Sequence, residues 1–252
     1  MNISKLKTKI LLIWILLTQL SCDNSHDNNS IRPICSPGNY IYYKKDFIDF
    51  GSDIQSRDID LNFPIHDIAV HLVANELELS ETNFENYFFK LKDGKLEIIN
   101  RGEFGGSLSF IPSDPALEKK IIVESSILFV FEYKSKTYFI VGSSHGFDQG
   151  GVIFELIREK EKFKYLKKLD LDSAPKAMAI YRDKILIAGC QMFTIIEDFK
   201  KDNIIENSVW QSLHANSIAI KNENEVYVGM RGGYAKLSMK TKKIAYYRYT
   251  GD

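Results

Sequence analysis

A few side chains in this 252-residue sequence are of types that could do chemistry. Cys190 with His145 or His214 would make a thiolate activated by an imidazole, the pairing that acyl transfer needs. No spacing brings them together, and a lone cysteine at the end of a strand is more often inert or disulfide-bonded. Asp148 is the first carboxylate to test for acid/base work on a sugar, although 33 acidic residues always offer pairs of that kind. A metal has no ligand spacing to rest on: there is no His-Glu-x-x-His, no Cys-x-x-Cys and no Asp-rich calcium loop. His26, His66, His71, His145 and His214 are too scattered to form a set. A strand–GxxxxGK–helix phosphate loop is also absent. What remains is recognition. His145, Asp148, Gln149, Gln191, His214 and Arg231 supply hydrogen-bonding groups and a permanent cation beside glycines, which suits non-covalent binding of a protein or glycan. No cofactor is implied, and a binder is favoured over an enzyme.

These residues must be held by strands. Asn216-Ser-Ile-Ala-Ile-Lys, Glu225-Val-Tyr-Val-Gly-Met, Tyr234-Ala-Lys-Leu-Ser-Met and Ile244-Ala-Tyr-Tyr-Arg-Tyr are short apolar or alternating runs, rich in β-branched and aromatic residues and parted by turn chemistry. Four antiparallel strands of that length make one small sheet. Upstream, Ile127-Leu-Phe-Val-Phe, Tyr138-Phe-Ile-Val-Gly, Val152-Ile-Phe-Glu-Leu and Phe163 to Leu169 form a second unit. Lys176-Ala-Met-Ala-Ile-Tyr, Lys184-Ile-Leu-Ile-Ala-Gly, Met192-Phe-Thr-Ile-Ile and Asn203 to Trp210 form a third. In each, the second strand ends in glycine, at Gly142, Gly189 and Gly229, spaced by 47 and 40 residues. Earlier, Asp93-Gly94 between two apolar runs is a hairpin signal. Residues 101–125, with Gly105-Gly106, Pro112 and Pro115, read as an inserted loop.

This register resembles the β-propeller class with four-stranded blades, whose repeats are of this length. The resemblance is to an architecture, since no Trp-Asp dipeptide, kelch glycine pair or Asp-box is present. It implies an all-β domain over 40–252 with about five blades and a closing segment near Tyr40 to Phe50. A β-sandwich or open barrel is the alternative.

Strand direction alternates within a blade, so the turns sort onto two ends. One end carries short turns of mixed charge: Lys134-Ser-Lys-Thr, Arg182-Asp-Lys and Asn222-Glu-Asn-Glu. The other carries Ser143 to Gly151, Cys190-Gln191, Met230 to Gly233, Ser173 to Lys176 and Ser212 to Asn216, rich in Gly, His, Gln and Ser. That second end is the expected binding surface. Gly150, Gly151, Gly232 and Gly233 read as positive-φ turn residues, and Arg231 as a salt-bridge partner for Asp148 or an anion anchor.

The N-terminus supplies an address. Lys5, Lys7 and Lys9 precede the apolar run Ile10 to Leu17, too short to span a bilayer, and then Leu20-Ser21-Cys22. The pattern resembles a bacterial lipoprotein leader, with Gln19 where an aliphatic residue usually stands. It implies removal of 1–21, lipid on Cys22 and a place in the cell envelope facing periplasm or surface. Residues 22–39 are Asn/Ser-rich and read as a flexible tether. Export would permit a Cys35–Cys190 disulfide. The chain has 33 basic and 33 acidic residues, and loss of the leader's three lysines leaves a weakly acidic body, which argues against nucleic acid as a ligand. A monomer is expected. An envelope inhibitor or immunity protein is one form of the binder, and a propeller-type hydrolase or lactonase working at a channel mouth is the alternative function.

Overall fold

A computed structural model describes residues 47–51, 67–81, 87–145, 148–160, 162–190, 192–206 and 214–249. The leader, Cys22, the tether, Cys35 and Gln191 lie outside them. The chain is all-β, with a single 3-10 turn at Gly102–Phe104 among the described residues.

Strand β1 (Phe47–Gly51) comes first. Five antiparallel sheets then follow in chain order. The first pairs β2 (Ile68–Val73) with β3 (Glu76–Glu81). The second comprises β4 (Tyr87–Leu91), β5 (Gly94–Asn100), β6 (Gly106–Pro112) and β7 (Lys120–Glu124). The third holds β8 (Ile127–Tyr133), β9 (Lys136–His145), β10 (Asp148–Glu159) and β11 (Lys162–Leu171). The fourth holds β12 (Pro175–Tyr181), β13 (Lys184–Gly189), β14 (Met192–Glu197) and β15 (Lys200–Glu206). The fifth holds β16 (Ser217–Asn222), β17 (Glu225–Met230), β18 (Gly233–Leu237) and β19 (Ile244–Tyr249), with β1 added beside β19. An N-terminal strand therefore completes the C-terminal sheet, in the segment expected to close the domain.

Residues 101–125 are not an inserted loop. They carry β6 and β7, the third and fourth strands of the second sheet. Their glycines and prolines misled because they sit at strand ends: Gly105, at φ +82, lies just outside β6, and Pro112 is its last residue. The Asp93-Gly94 hairpin does form, with Leu91 opposite Gly94, so its two turn residues are Lys92 and Asp93.

Among the described residues, three cores lie between successive sheets and a fourth joins the first sheet to the fifth. Leu96, Ile98, Leu108 and Phe110 of the second sheet meet Ile127, Val130 and Phe139 of the third. Phe131, Ile140 and Ile153 meet Met178, Ile185 and Ile187 of the fourth. Ala179, Leu186 and Phe193 meet Ile218, Val226 and Val228 of the fifth. Ile68, Val70 and Leu79 of the first sheet pack on Ala219 and Tyr227 of the fifth. The third, fourth and fifth sheets are thus covered on both faces. That is why β13 is buried without a break from Ile185 to Gly189, and β17 from Val226 to Met230. A strand covered on both faces reads as a continuous apolar run rather than an alternation. Burying each such Ile, Leu or Phe contributes about 1.5–3 kcal/mol. The outermost strand β11 is mostly exposed and rich in lysine, a composition that disfavours edge-to-edge pairing.

Gly142, Gly189 and Gly229 occupy equivalent places. Ser217 pairs with Gly229 and Pro175 with Gly189, while the Gly142 N–H donates to Ser126 O at 3.1 Å. Each glycine therefore stands opposite the entry to its sheet's first strand. No α-helix occurs among the described residues of 176–249.

Candidate functional site

The two ends of the sheets differ as expected in character. At the charged end, two-residue turns join β8 to β9 and β14 to β15. Lys134, Ser135, Asp198 and Phe199 there all have positive φ, the left-handed pair that the twist of a tight hairpin requires. A cleft of about 600 Å³ opens at this end, lined by Lys184, Glu197, Asp198, Lys201, Asp202 and Glu223. Its charges are largely consumed by one another and by neighbouring turns. Lys201 binds Asp172 at 2.6 Å, Lys242 binds Asp202 at 2.9 Å and Arg182 binds Glu223 at 3.3 Å. This is a solvated, ion-paired surface, and we place the candidate site at the other end in spite of the cleft.

At the glycine-bearing end the sequence anticipated a long loop from Ser143 to Gly151. The strands run through it instead. Gly142 faces Gly151, Ser143 faces Gly150, Ser144 faces Gln149 and His145 faces Asp148, which leaves 146–147 between the strand ends. Gly150 and Gly151 are extended rather than positive in φ; of the four glycines expected to turn the chain, only Gly232 does so, at φ +70. Gly151 is needed for close approach. A Cβ there would stand 2.9 Å from Pro175 Cδ, where the third and fourth sheets meet. His145, Asp148 and Gln149 are therefore fixed in register at the tip of the β9–β10 hairpin, and Gln191 lies outside the described residues.

His214 and Arg231 are brought together. Arg231 occupies the turn between β17 and β18, where Met230 pairs with Gly233. Its partner is Asp67, not Asp148: the backbones of Asp67 and Arg231 form an isolated antiparallel bridge, and Arg231 Nε reaches Asp67 Oδ1 at 3.4 Å. This hooks the entry of the first sheet onto the fifth. His214 sits two residues before Asn216 in the entry to β16, with φ +50, and its side chain is exposed. Surrounding protein atoms and then the Arg231 guanidinium lower its pKa, opposed by Asp67, while Lys176 of the fourth sheet acts in the same direction as Arg231. Burial and these two cations favour the neutral imidazole over the imidazolium. Arg231, His214, Asp67 and Lys176 thus converge from three sheets.

Asn216 and Ser217 belong to the same corner and were not singled out from the sequence. Ser217 Oγ accepts the Val70 N–H at 2.9 Å and donates to Asn216 Oδ1 at 2.7 Å. The Asn216 N–H donates to Gly229 O at 2.9 Å. A Cβ on Gly229 would fall 2.2 Å from Ser217 Oγ, 2.4 Å from Ile68 O and 2.8 Å from Asn216 Oδ1, so glycine is required for this crossing. A related contact recurs in the fourth sheet, where a Cβ on Gly189 would meet Ser173 Oγ at 2.6 Å. A Ser or Asn near the start of strand one, with glycine closing strand two, is the pattern that could have pointed to both residues.

The half-buried Cys190 donates its backbone N–H to Ala174 O at 2.9 Å. Its proposed disulfide partner, Cys35, lies outside the described residues. No group of three or more His, Cys, Asp or Glu positioned for a metal occurs among the described residues. No family model matches this chain, and no curated protein matches it either.

Proposed function

We propose that the chain is an exported, lipid-tethered binding module, a five-bladed propeller that holds a protein or glycan partner in the cell envelope. The propeller reading rests on five sheets packed in chain order, burial that falls from inner to outer strands, and an N-terminal strand seated on the last sheet. The tether reading rests on Leu20-Ser21-Cys22 after a basic, apolar leader. The observation that carries binding is the convergence of Arg231, His214, Asp67 and Lys176 at one end of a rigid scaffold. Arg231 and Lys176 offer cationic N–H donors beside the His214 imidazole and the Asp67 carboxylate, groups suited to recognition through charge and hydrogen bonds.

Two experiments test this. Cys22→Ser should move the chain from the membrane to the soluble fraction; unchanged membrane retention would count against lipidation. Mature chain on a support should capture a partner from envelope extract, and the double variant His214→Ala, Arg231→Ala should lose it. Equal recovery by that variant, with loss on altering the charged turns at Arg182 and Glu223, would move the site to the opposite end.

A further inference from the structure

The charged end of the sheets holds more cations than its ion pairs use. Its cleft of about 600 Å³ straddles the fourth and fifth sheets, and that size is within the range of small-molecule sites. The floor is apolar: Ile195 of β14 and Met239, just beyond β18, are half-buried and packed against the core between those two sheets. An unbranched thioether side chain such as Met239 fits partners of varied shape. The rim is charged, and its carboxylates are matched. Glu197 lies 3.9 Å from Lys184, Asp198 2.5 Å from Lys134, Asp202 2.9 Å from Lys242 and Glu223 3.3 Å from Arg182. Lys201 is taken by Asp172 at 2.6 Å.

Two lysines on the same rim are left over. Lys200 and Lys240 both line the cleft, and neither forms an ion pair or a side-chain hydrogen bond with a described residue. The Asp198 carboxyl is held below its ordinary pKa first by Lys134 and last by Lys200, so Lys200 neighbours a carboxylate that is already paired. Asp183, which Lys134 also feels, does not line the cleft. Both spare lysines stand on fixed turns. Lys200 opens β15 directly after the left-handed pair Asp198 and Phe199. Lys240 lies in the β18–β19 turn, where the Lys242 N–H donates to Ser238 O at 2.9 Å and the Met239 N–H to Glu223 O at 2.8 Å. Turns held in this way have little backbone freedom left to lose on binding. With the pairs cancelled, two positive charges remain over an apolar floor.

We propose that this cleft is a second ligand site, for a phosphomonoester joined to an apolar group, with Lys200 and Lys240 binding the phosphate and Ile195 and Met239 the apolar part. A phosphomonoester carries about −1.5 to −2 charges near neutral pH, which two ammonium groups match. A monocarboxylate would match only one of them. Lysine binds phosphate as a compact point charge on a flexible stem and needs no planar fork. Concave apolar walls focus the field of those charges more than a flat surface does. The inference is independent of the binding reading above, which concerns the opposite end of the sheets.

The test uses the full mature chain carrying Cys22→Ser, so that no lipid of its own competes, with carbon-13 at the methionine methyls. The probes are octyl phosphate below its micelle concentration, inorganic phosphate and uncharged octyl glucoside. A saturable shift of the Met239 methyl signal is expected with octyl phosphate, at concentrations where the other two leave it unmoved. Lys200→Gln with Lys240→Gln, at exposed positions outside the core, should weaken octyl phosphate by on the order of tenfold or more, and added salt should weaken the parent in the same direction. Lys162→Gln with Lys243→Gln removes two exposed lysines that do not line the cleft and should leave binding unchanged. The proposal is overturned if octyl phosphate leaves the Met239 signal unmoved, or if octyl glucoside shifts it equally. It is also overturned if inorganic phosphate binds as tightly, if the Lys200 and Lys240 double variant binds as the parent does, or if the control pair weakens binding as much. The two claims fail separately. His214→Ala with Arg231→Ala should lose partner capture and still bind octyl phosphate, whereas a chain that captures its partner but ignores octyl phosphate keeps the binding reading and loses this site.

Discussion

At the scale of single residues, glycine placement and histidine burial give the sharpest expectations. A Cβ on Gly229 meets a backbone carbonyl at 2.4 Å, which cannot swing aside, whereas at Gly150 the nearest atom is Leu171 O at 3.5 Å. Gly229→Ala should therefore destabilise the chain by about 1–3 kcal/mol in denaturant titration, with Gly150→Ala close to neutral. Similar midpoints for the two variants would mean that the β2 crossing is looser than described. His71 tests a second feature. It lies on β2 opposite Glu78, with Nε2 2.8 Å from the fully buried Ser80 Oγ. Burial lowers its pKa, and Glu78 opposes this only in part. A histidine whose folded pKa lies below its unfolded value binds fewer protons when folded. Its contribution is present in full above the ordinary histidine pKa of about 6.5 and is lost as pH falls through the folded value. Stability measured at pH 7.5 and pH 5 should drop on acidification, and His71→Gln should reduce that drop. An unchanged drop would remove His71 from the account.

At the scale of elements, one side chain joins the second sheet to the third. Arg158 of β10 lies over Phe110 of β6 and Phe163 of β11, 4.4 and 5.2 Å from the ring centroids, and makes two hydrogen bonds to Asp93 in the β4–β5 turn. Arg158→Ala should cost about 0.5–1 kcal/mol for each of the two rings that the guanidinium covers, measured by thermal melting, with Asp93→Asn milder because that carboxylate is in solvent. The reverse ranking would show that the ion pair, not the stacked guanidinium, holds the two sheets together. Elements were also where the sequence was most and least legible. The apolar runs of β8, β12, β13, β16 and β17 announced themselves because both their faces are covered, leaving no polar alternation to confuse them. The strands β6 and β7 did not, since Gly, Pro and an acidic-basic run at their ends look like a loop when the pairing partners are unseen. The Ser143 to Gly151 stretch failed for a related reason. Glycine signals a turn or a close approach equally well, and only the packing of Gly151 on Pro175 decides between them. Of the candidate site, His214 and Arg231 were legible as polar residues beside turns. Asp67 and Asn216 were not, because their roles come from β2 crossing β16 and β17 some 150 residues away in the chain, as in the Val70–Ser217 bond spanning 147 residues.

At the scale of the whole molecule, the question is whether the five sheets act as one body or as a row of neighbours. In a linear array each unit touches only the next, so stability is a sum of local terms and the ends fray first. Here the chain order of the sheets is one to five, yet the packing order is second, third, fourth, fifth and then first, and β1 joins β19. The N-terminal segment is thus held by the C-terminal sheet through both β1 and β2, which couples the two ends of the chain. Leu186 is fully buried in the core between the fourth and fifth sheets, in the middle of that arrangement. Leu186→Ala should cost about 2–5 kcal/mol. Coupled ends predict that the loss is shared: far-ultraviolet and near-ultraviolet circular dichroism should report one coincident thermal transition, merely shifted downward. An array of independent neighbours would instead split, with the second and third sheets melting near the parental temperature while the fourth, fifth and first melt early. Deleting residues 47–51 gives the complementary arm. If β1 fastens the chain's beginning to its end, its removal should lower the same single transition and bare the edge of β19 for association, whereas an unshifted, monomeric transition would mean that this strand closes nothing.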